Sequence, residues 1–222
     1  MKLSNYLSAL ACALLVVAGS GRAQAADTYD IDVVLPLTGG AAFLGKGEQT
    51  ALQLLQKVEN EKGGIHGRKI NFVFHDDQTH PQVAVPMVNQ IKAGNPVVVL
   101  GSAISSVCNA MAPLFKAKGP VNYCFSPSLY PKSGSYVFSS SISTKALAQG
   151  LLQYFIDKGW TRIGLLTSTD ATGQDAHRNI QELMDSGKFG KLSIVADQQF
   201  NTKDMSASAQ IQRIKGANPD VV

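Results

Sequence analysis

The chain has 222 residues, of which 45% are hydrophobic and 16% charged, and its 20 basic and 16 acidic residues give a formal net charge of +4. That composition excludes a disordered or low-complexity segment. No block of like charges stands out, which excludes a nucleic-acid face or a polybasic membrane patch, and the length allows one or two domains.

The first element is a leader. Lys2 supplies a positive start, residues 7–18 form an uncharged apolar run, and Ala23-Gln24-Ala25 is a small-x-small cleavage motif. The run is too short to span a hydrocarbon core of about 30 Å, so export to the periplasm with cleavage near Ala25 is expected. Removing Lys2 and Arg22 from the 20 basic residues leaves 18 against 16 acidic ones. Cys12 is a poor match to lipoprotein processing, because apolar residues continue after it to Val17. It leaves with the leader, and Cys108 and Cys124 then remain in an oxidising compartment. An even pair there favours a disulfide over two buried thiols.

From there strand and helix alternate. Residues 31–36 read as a buried strand ending in Leu37-Thr38-Gly39-Gly40. Ala51, Leu52, Leu54, Leu55 and Val58 recur at helical spacing across residues 48–62, and Gly63-Gly64 stops that helix. A second strand is expected over 69–74, running into Asp76-Asp77. A helix opening at Pro81 follows, with a kink expected at Pro86. Residues 96–100 form a third strand, 107–118 a helix and 121–125 a fourth strand. Residues 136–143, rich in serine, break the rhythm. A new cycle then runs through helix 145–158, strand 162–167, helix 174–186, strand 192–196 and helix 206–215, the last with Asp204 as its N-cap. A final strand begins at 220–222. Apolar strands separated by helices imply α/β architecture with a parallel sheet covered on both faces. Its binding loops lie at the carboxyl ends of the strands.

Several phrases in this order carry a resemblance: LPLTGGAAFLGKG after the first strand, KGGIHGRKI before the second, DDQTHP after it, GSAISS after the third, then YVFSSSIST, DATGQD and KGANPDVV. The chain resembles the branched-chain amino acid binding proteins of ABC transporters, with the type I periplasmic binding fold. The resemblance implies two α/β lobes with a ligand between them, a membrane permease as partner and no cofactor or catalysis. It implies residues 1–25 as signal peptide, 26–142 as the first lobe and 143–222 as a second lobe. The family continues past Val222, so the second lobe is expected to be incomplete and the fold C-terminally truncated. A monomer is expected, and no nucleic-acid partner.

Fixed donors around a carboxylate are the chemistry such a ligand needs. Ser105 and Ser106 stand just before the expected helix at Val107, where hydroxyls and free backbone N–H groups can meet an anion. Plain N-capping would explain the same serines. The resemblance adds Ser126 and Ser128 in the loop after the fourth strand, where Leu129-Tyr130 departs from the family's pattern. Tyr130 either lines the cleft or covers the loop. In the second lobe Thr172 stands where relatives for aliphatic amino acids carry a tyrosine, leaving room for a bulkier, even aromatic, carboxylate. Phe43 and Leu44 supply apolar contact or simply pack over the sheet. Asp76 and Asp77 are expected to shape their loop and cap the helix at Pro81. Cys108 and Cys124 fall at the same sheet edge, one βαβ step apart, within bridging reach.

Two other readings stay open. Gly45-Lys46-Gly47 with Asp76 shadows a dinucleotide fingerprint, although the third glycine is missing and the pair stands too far from the strand. A sensory receptor domain of the same fold is the other. His66, His75, His80 and His177 are scattered and show no metal-ligand spacing.

Overall fold

The computed structural model describes residues 28–115 and 119–222. The leader, its cleavage site, Cys12 and the last residues of the helix expected at 107–118 lie outside the described residues.

Five parallel strands form the first sheet: β1 (Tyr29–Leu35), β2 (Ile70–Asp76), β3 (Val98–Gly101), β4 (Val121–Cys124) and β5 (Val137–Ser139), in the order β2-β1-β3-β4-β5. A second sheet holds β6 (Arg162–Ser168) and β7 (Ser193–Phe200), also parallel, with Val221 bridged to Ile163. The helices are α1 (Ala42–Glu61), α2 (Pro81–Ala93), α3 (Ser105–Met111) running into a 3₁₀ turn (Ala112–Phe115), α4 (Thr144–Asp157), α5 (Ala171–Asp185) and α6 (Ser208–Gly216). This is the expected two-lobed α/β arrangement of helices around parallel sheets. The five-stranded sheet ends at Ser139, and Ser143 caps α4 by accepting from Ala146 N–H.

Alternation along the strands sorts side chains onto two faces. Val34, Val99, Val107, Met111 and Phe115 close one face of the first sheet under α2 and α3. Ile31, Val33, Leu35, Ile70 and Phe72 form the other face, with Leu52 of α1 packed on it. The second lobe has its own core, built on Leu152, Phe155, Leu183 and Phe189 with Trp160 alongside.

Several expectations are corrected. Helix α1 starts at Ala42, six residues before the apolar stripe suggested, because Gly45 lies against the Pro36 carbonyl where a Cβ would collide. Only Leu52 of the large apolar residues in the stripe packs on the sheet; Leu54, Leu55 and Val58 are exposed. Polar residues complete the docking. Gln56 Oε1 accepts from Phe72 N–H at 2.7 Å, and Asn60 both donates to the Ile70 carbonyl at 2.8 Å and accepts from its N–H at 2.7 Å. Strand β2 is an edge, and these side chains satisfy backbone groups that no neighbouring strand can reach. Gly45 and Gly47 sit inside this helix, not in a phosphate-cradling loop, which removes the dinucleotide fingerprint. Helix α2 continues through Pro86 as one element. Strand β7 runs on to Phe200, and α6 starts at Ser208 with Ala207 at its N-cap and no side-chain cap, so Asp204 does not serve there; it closes the preceding turn by accepting from Asn201 N–H.

Candidate functional site

The carboxyl ends of β3, β4 and β6 bring three short segments together. Ser105, expected just ahead of a helix, is instead its first residue; α3 begins at Ser105 with Ile104 at the N-cap and no side-chain capping bond. The capping role is therefore absent, and the Ser105 hydroxyl is free for tertiary partners. It lies 2.7 Å from Ser126 Oγ, in the loop after β4, and 2.9 Å from Thr172 Oγ1, in the first turn of α5. Thr172 was expected in a loop. It is helical because α5 starts at Ala171, capped by Asp170, whose side chain accepts from Gly173 N–H. Gly173 permits this early start: a Cβ there would strike the Ser168 carbonyl and hydroxyl. Thus three hydroxyls from two lobes form one continuous chain.

Ser126 is fully buried and its Oγ also accepts from Ser128 N–H at 3.4 Å. Ser128, nearly buried, lies 3.2 Å from Thr144 Oγ1 at the start of α4. Ser106 occupies the same first turn of α3 and is half-buried. Both partners of Ser105 are hydroxyls, so the cluster offers rotatable donors and acceptors rather than a base that could take a proton. Phe43 and Leu44 lie in the first turn of α1; Phe43 is 83% exposed, so its ring buries almost nothing.

The base under these serines is stiff. Cys108 of α3 and Cys124 at the end of β4 form a disulfide with Cα atoms 6.2 Å apart. Cys124 Sγ also accepts from Ser126 N–H at 3.3 Å.

Asp76 and Asp77 organise the neighbouring loops without capping α2, whose N-cap is His80 and has no side-chain bond. Asp76 accepts from the N–H groups of Leu37, Thr38 and Gln78 and from the Thr38 hydroxyl. Burial acts to raise its pKa, but those hydrogen bonds outweigh it and hold the carboxyl below its usual range. Asp77 is fully buried, accepts from Ser102 Oγ at 2.6 Å and from Thr79 N–H at 2.7 Å, and burial lifts its pKa despite them. Glu48 of α1 is pushed up to about 7, first by burial and then by the Asp77 charge, and its buried Oε2 has no hydrogen-bond partner among the described residues.

Tyr130 was a candidate from the sequence, but its partners Asp175 and Asn179 were not. Tyr130 donates to Asp175 Oδ2 at 2.8 Å and accepts from Asn179 Nδ2 at 2.9 Å. Burial, then donation to Asp175, raises the Tyr130 pKa. A signal existed: Asp175, Asn179 and Leu183 share one stripe of α5 at four-residue spacing, and all three are buried. A cavity of about 490 Å³ opens beside Tyr130, lined among others by Asn109, Pro113, Leu129, Lys132 and Val137, and the hydroxyl cluster does not line it. Among the described residues no group of three or more His, Cys, Asp or Glu could hold a metal ion.

The sequence profile of a family described as periplasmic binding protein matches residues 28–222. The Leu/Ile/Val-binding protein of Escherichia coli is 24% identical over 218 residues, covering 96% of this chain and 58% of its own length. A type 1 periplasmic binding protein from Bordetella pertussis superposes with a TM-score of 0.73 at 27% identity, over 88% of this chain and 55% of that one. A solute-binding protein of an ABC transporter from Rhodopseudomonas palustris, in complex with benzoate, gives 0.71 at 22% identity, over 88% and 54%. The chain thus spans little more than half the length of these relatives.

Proposed function

The chain belongs to the periplasmic binding protein family, and from that premise we propose that it is the solute-binding component of an importer, holding a small carboxylate between its two lobes. The observation that carries this reading is the hydroxyl chain Ser126–Ser105–Thr172, which joins the lobes through groups able to turn their protons toward an anion. Ser106 and Ser128 flank it. Hydrogen bonds from buried hydroxyls to a charged carboxylate contribute about 1.5–3 kcal/mol each, more than their mutual neutral bonds. A ligand carboxylate entering among them would replace weaker contacts with stronger ones.

In this reading residues 26–142 and 143–222 are the lobes, and the stretch from the end of β5, residues 139–143, is the hinge. Ser139 Oγ donates to the Ser126 carbonyl, linking that stretch to the recognition loop. Opening and closing is a shift between conformations with no bond chemistry. The closed form, a monomer, would dock on a membrane permease, and residues 1–25 would direct export to the periplasm. Phe43 and Leu44, at the same sheet edge, would meet the apolar end of the ligand, and Tyr130 the margin of the cleft.

Thr172 favours a bulkier ligand than leucine. The E. coli relative is a Leu/Ile/Val-binding protein and the R. palustris structure holds benzoate, so leucine and benzoate are the two probes. In a thermal-shift titration the stabilisation follows mass action. Benzoate is expected to raise the melting temperature and leucine to leave it unchanged. The reverse result would overturn the argument from Thr172, and no response to either would overturn small-carboxylate binding.

A further inference from the structure

The lobes meet at a second place, and its chemistry differs from that of the hydroxyl cluster. Tyr130 belongs to the loop after β4, whereas Asp175 and Asn179 project from α5 of the other lobe. The Tyr130 hydroxyl sits between them, donating to Asp175 Oδ2 at 2.8 Å and accepting from Asn179 Nδ2 at 2.9 Å. Asp175 is 4% exposed and Asn179 5% exposed. Such groups are costly to bury without partners, and here each is fixed from behind. Arg178 donates to Asp175 Oδ1 at 2.5 Å, and Asn179 also donates to the Asp175 backbone carbonyl at 2.8 Å. The α5 side of the contact is therefore organised within one helix, and Tyr130 reaches it from the first lobe.

We propose that Tyr130, Asp175 and Asn179 form a latch that holds the lobes together by direct side-chain contact, setting the balance between closed and open forms from outside the ligand-binding hydroxyls. This rests on the two-lobed binding reading above, and it assigns these residues positioning roles. The latch needs no ligand to bridge it, because the donor and acceptor atoms already lie within hydrogen-bond distance across the interface. Its strength comes from the charged acceptor: a hydrogen bond to a buried carboxylate is stronger than one between neutral groups. Losing it shifts a two-state balance by about tenfold or more.

The test uses the chain itself without added ligand. Small-angle scattering and circular dichroism are recorded for the wild type, Tyr130→Phe and Asp175→Asn. The latch predicts an unchanged helical signal, a larger radius of gyration in Tyr130→Phe and an intermediate one in Asp175→Asn, which keeps an acceptor but not its charge. It also predicts faster association of benzoate with Tyr130→Phe, because a larger open fraction admits ligand; loss of folded protein would lower that rate. Scattering profiles that coincide for all folded variants would overturn the proposal, as would a Tyr130→Phe that loses helical signal while Asp175→Asn scatters like the wild type. If neither benzoate nor leucine binds, the carboxylate reading fails and the ligand-free scattering still decides the latch.

Discussion

The two faces of the first sheet are made by the same strands, yet they are covered very differently. Under α2 and α3 the residues Val34, Val88, Val99, Val107, Met111 and Phe115 are fully buried, and the disulfide crosses the same region. On the opposite face α1 covers only β1 and β2 well. Leu100, Tyr123 and Phe138 lie side by side across β3, β4 and β5, and Tyr123 and Phe138 remain 41% and 48% exposed. Close packing transmits position, because a dense core has few alternative arrangements. Ser105 and Ser126 both grow out of the dense face, which explains how a helix start and a short loop can hold hydroxyls in mutual contact.

The sharpest way to break this comparison is to truncate one side chain on each face. Met111→Ala leaves a cavity in a close-packed region and should cost about 2–5 kcal/mol. Phe138→Ala removes a larger side chain but one already half in water, and should cost less than about 1 kcal/mol. Chemical denaturation of both variants measures the difference; equal losses would mean that the two faces are equally packed. Next in size is the disulfide. It closes a separation of 16 residues, and Cys108→Ser with Cys124→Ser should cost about 3 kcal/mol, or roughly 6–12 °C in melting temperature. An unchanged melt on replacement or reduction would show that the bridge adds nothing to the dense face.

The smallest effect belongs to Glu48 on the other face. Its carboxyl titrates at about 7 in the folded chain instead of 4.5, so between those values the folded state keeps a proton that the unfolded state has lost. Stability therefore falls as pH rises through that window and stays lower above it. Glu48→Gln removes the titration, and the melting temperature should rise by roughly 2 °C at pH 8 and not at pH 4. A gain of equal size at both values would refute burial of the charge as the cause.

These faces also show what sequence can and cannot reveal. The alternation of buried strands with helices along the chain, the glycine stops and the disulfide were all legible, because each rests on local composition or on one βαβ step. The orientation of α1 was not. Its apolar positions have helical spacing, but the helix turns Gln56 and Asn60 toward β2, since an edge strand's backbone groups require partners more than Leu54 requires burial. The start of α5 was missed for a related reason: Gly173 looked like a loop residue and is instead the point of closest helix–strand approach. Ser105, Ser126, Ser128 and Thr172 could be named from the sequence. Their meeting could not, because it depends on how two lobes are set together, and the same holds for Tyr130 with Asp175 and Asn179.

Recognition by the cross-lobe hydroxyls is tested most directly by calorimetric titration of benzoate into the wild type and Ser105→Ala. Removing the hydroxyl that joins Ser126 to Thr172 should weaken binding by about tenfold or more, with the melting temperature of the ligand-free chain little changed. Equal affinity in the two proteins would contradict it.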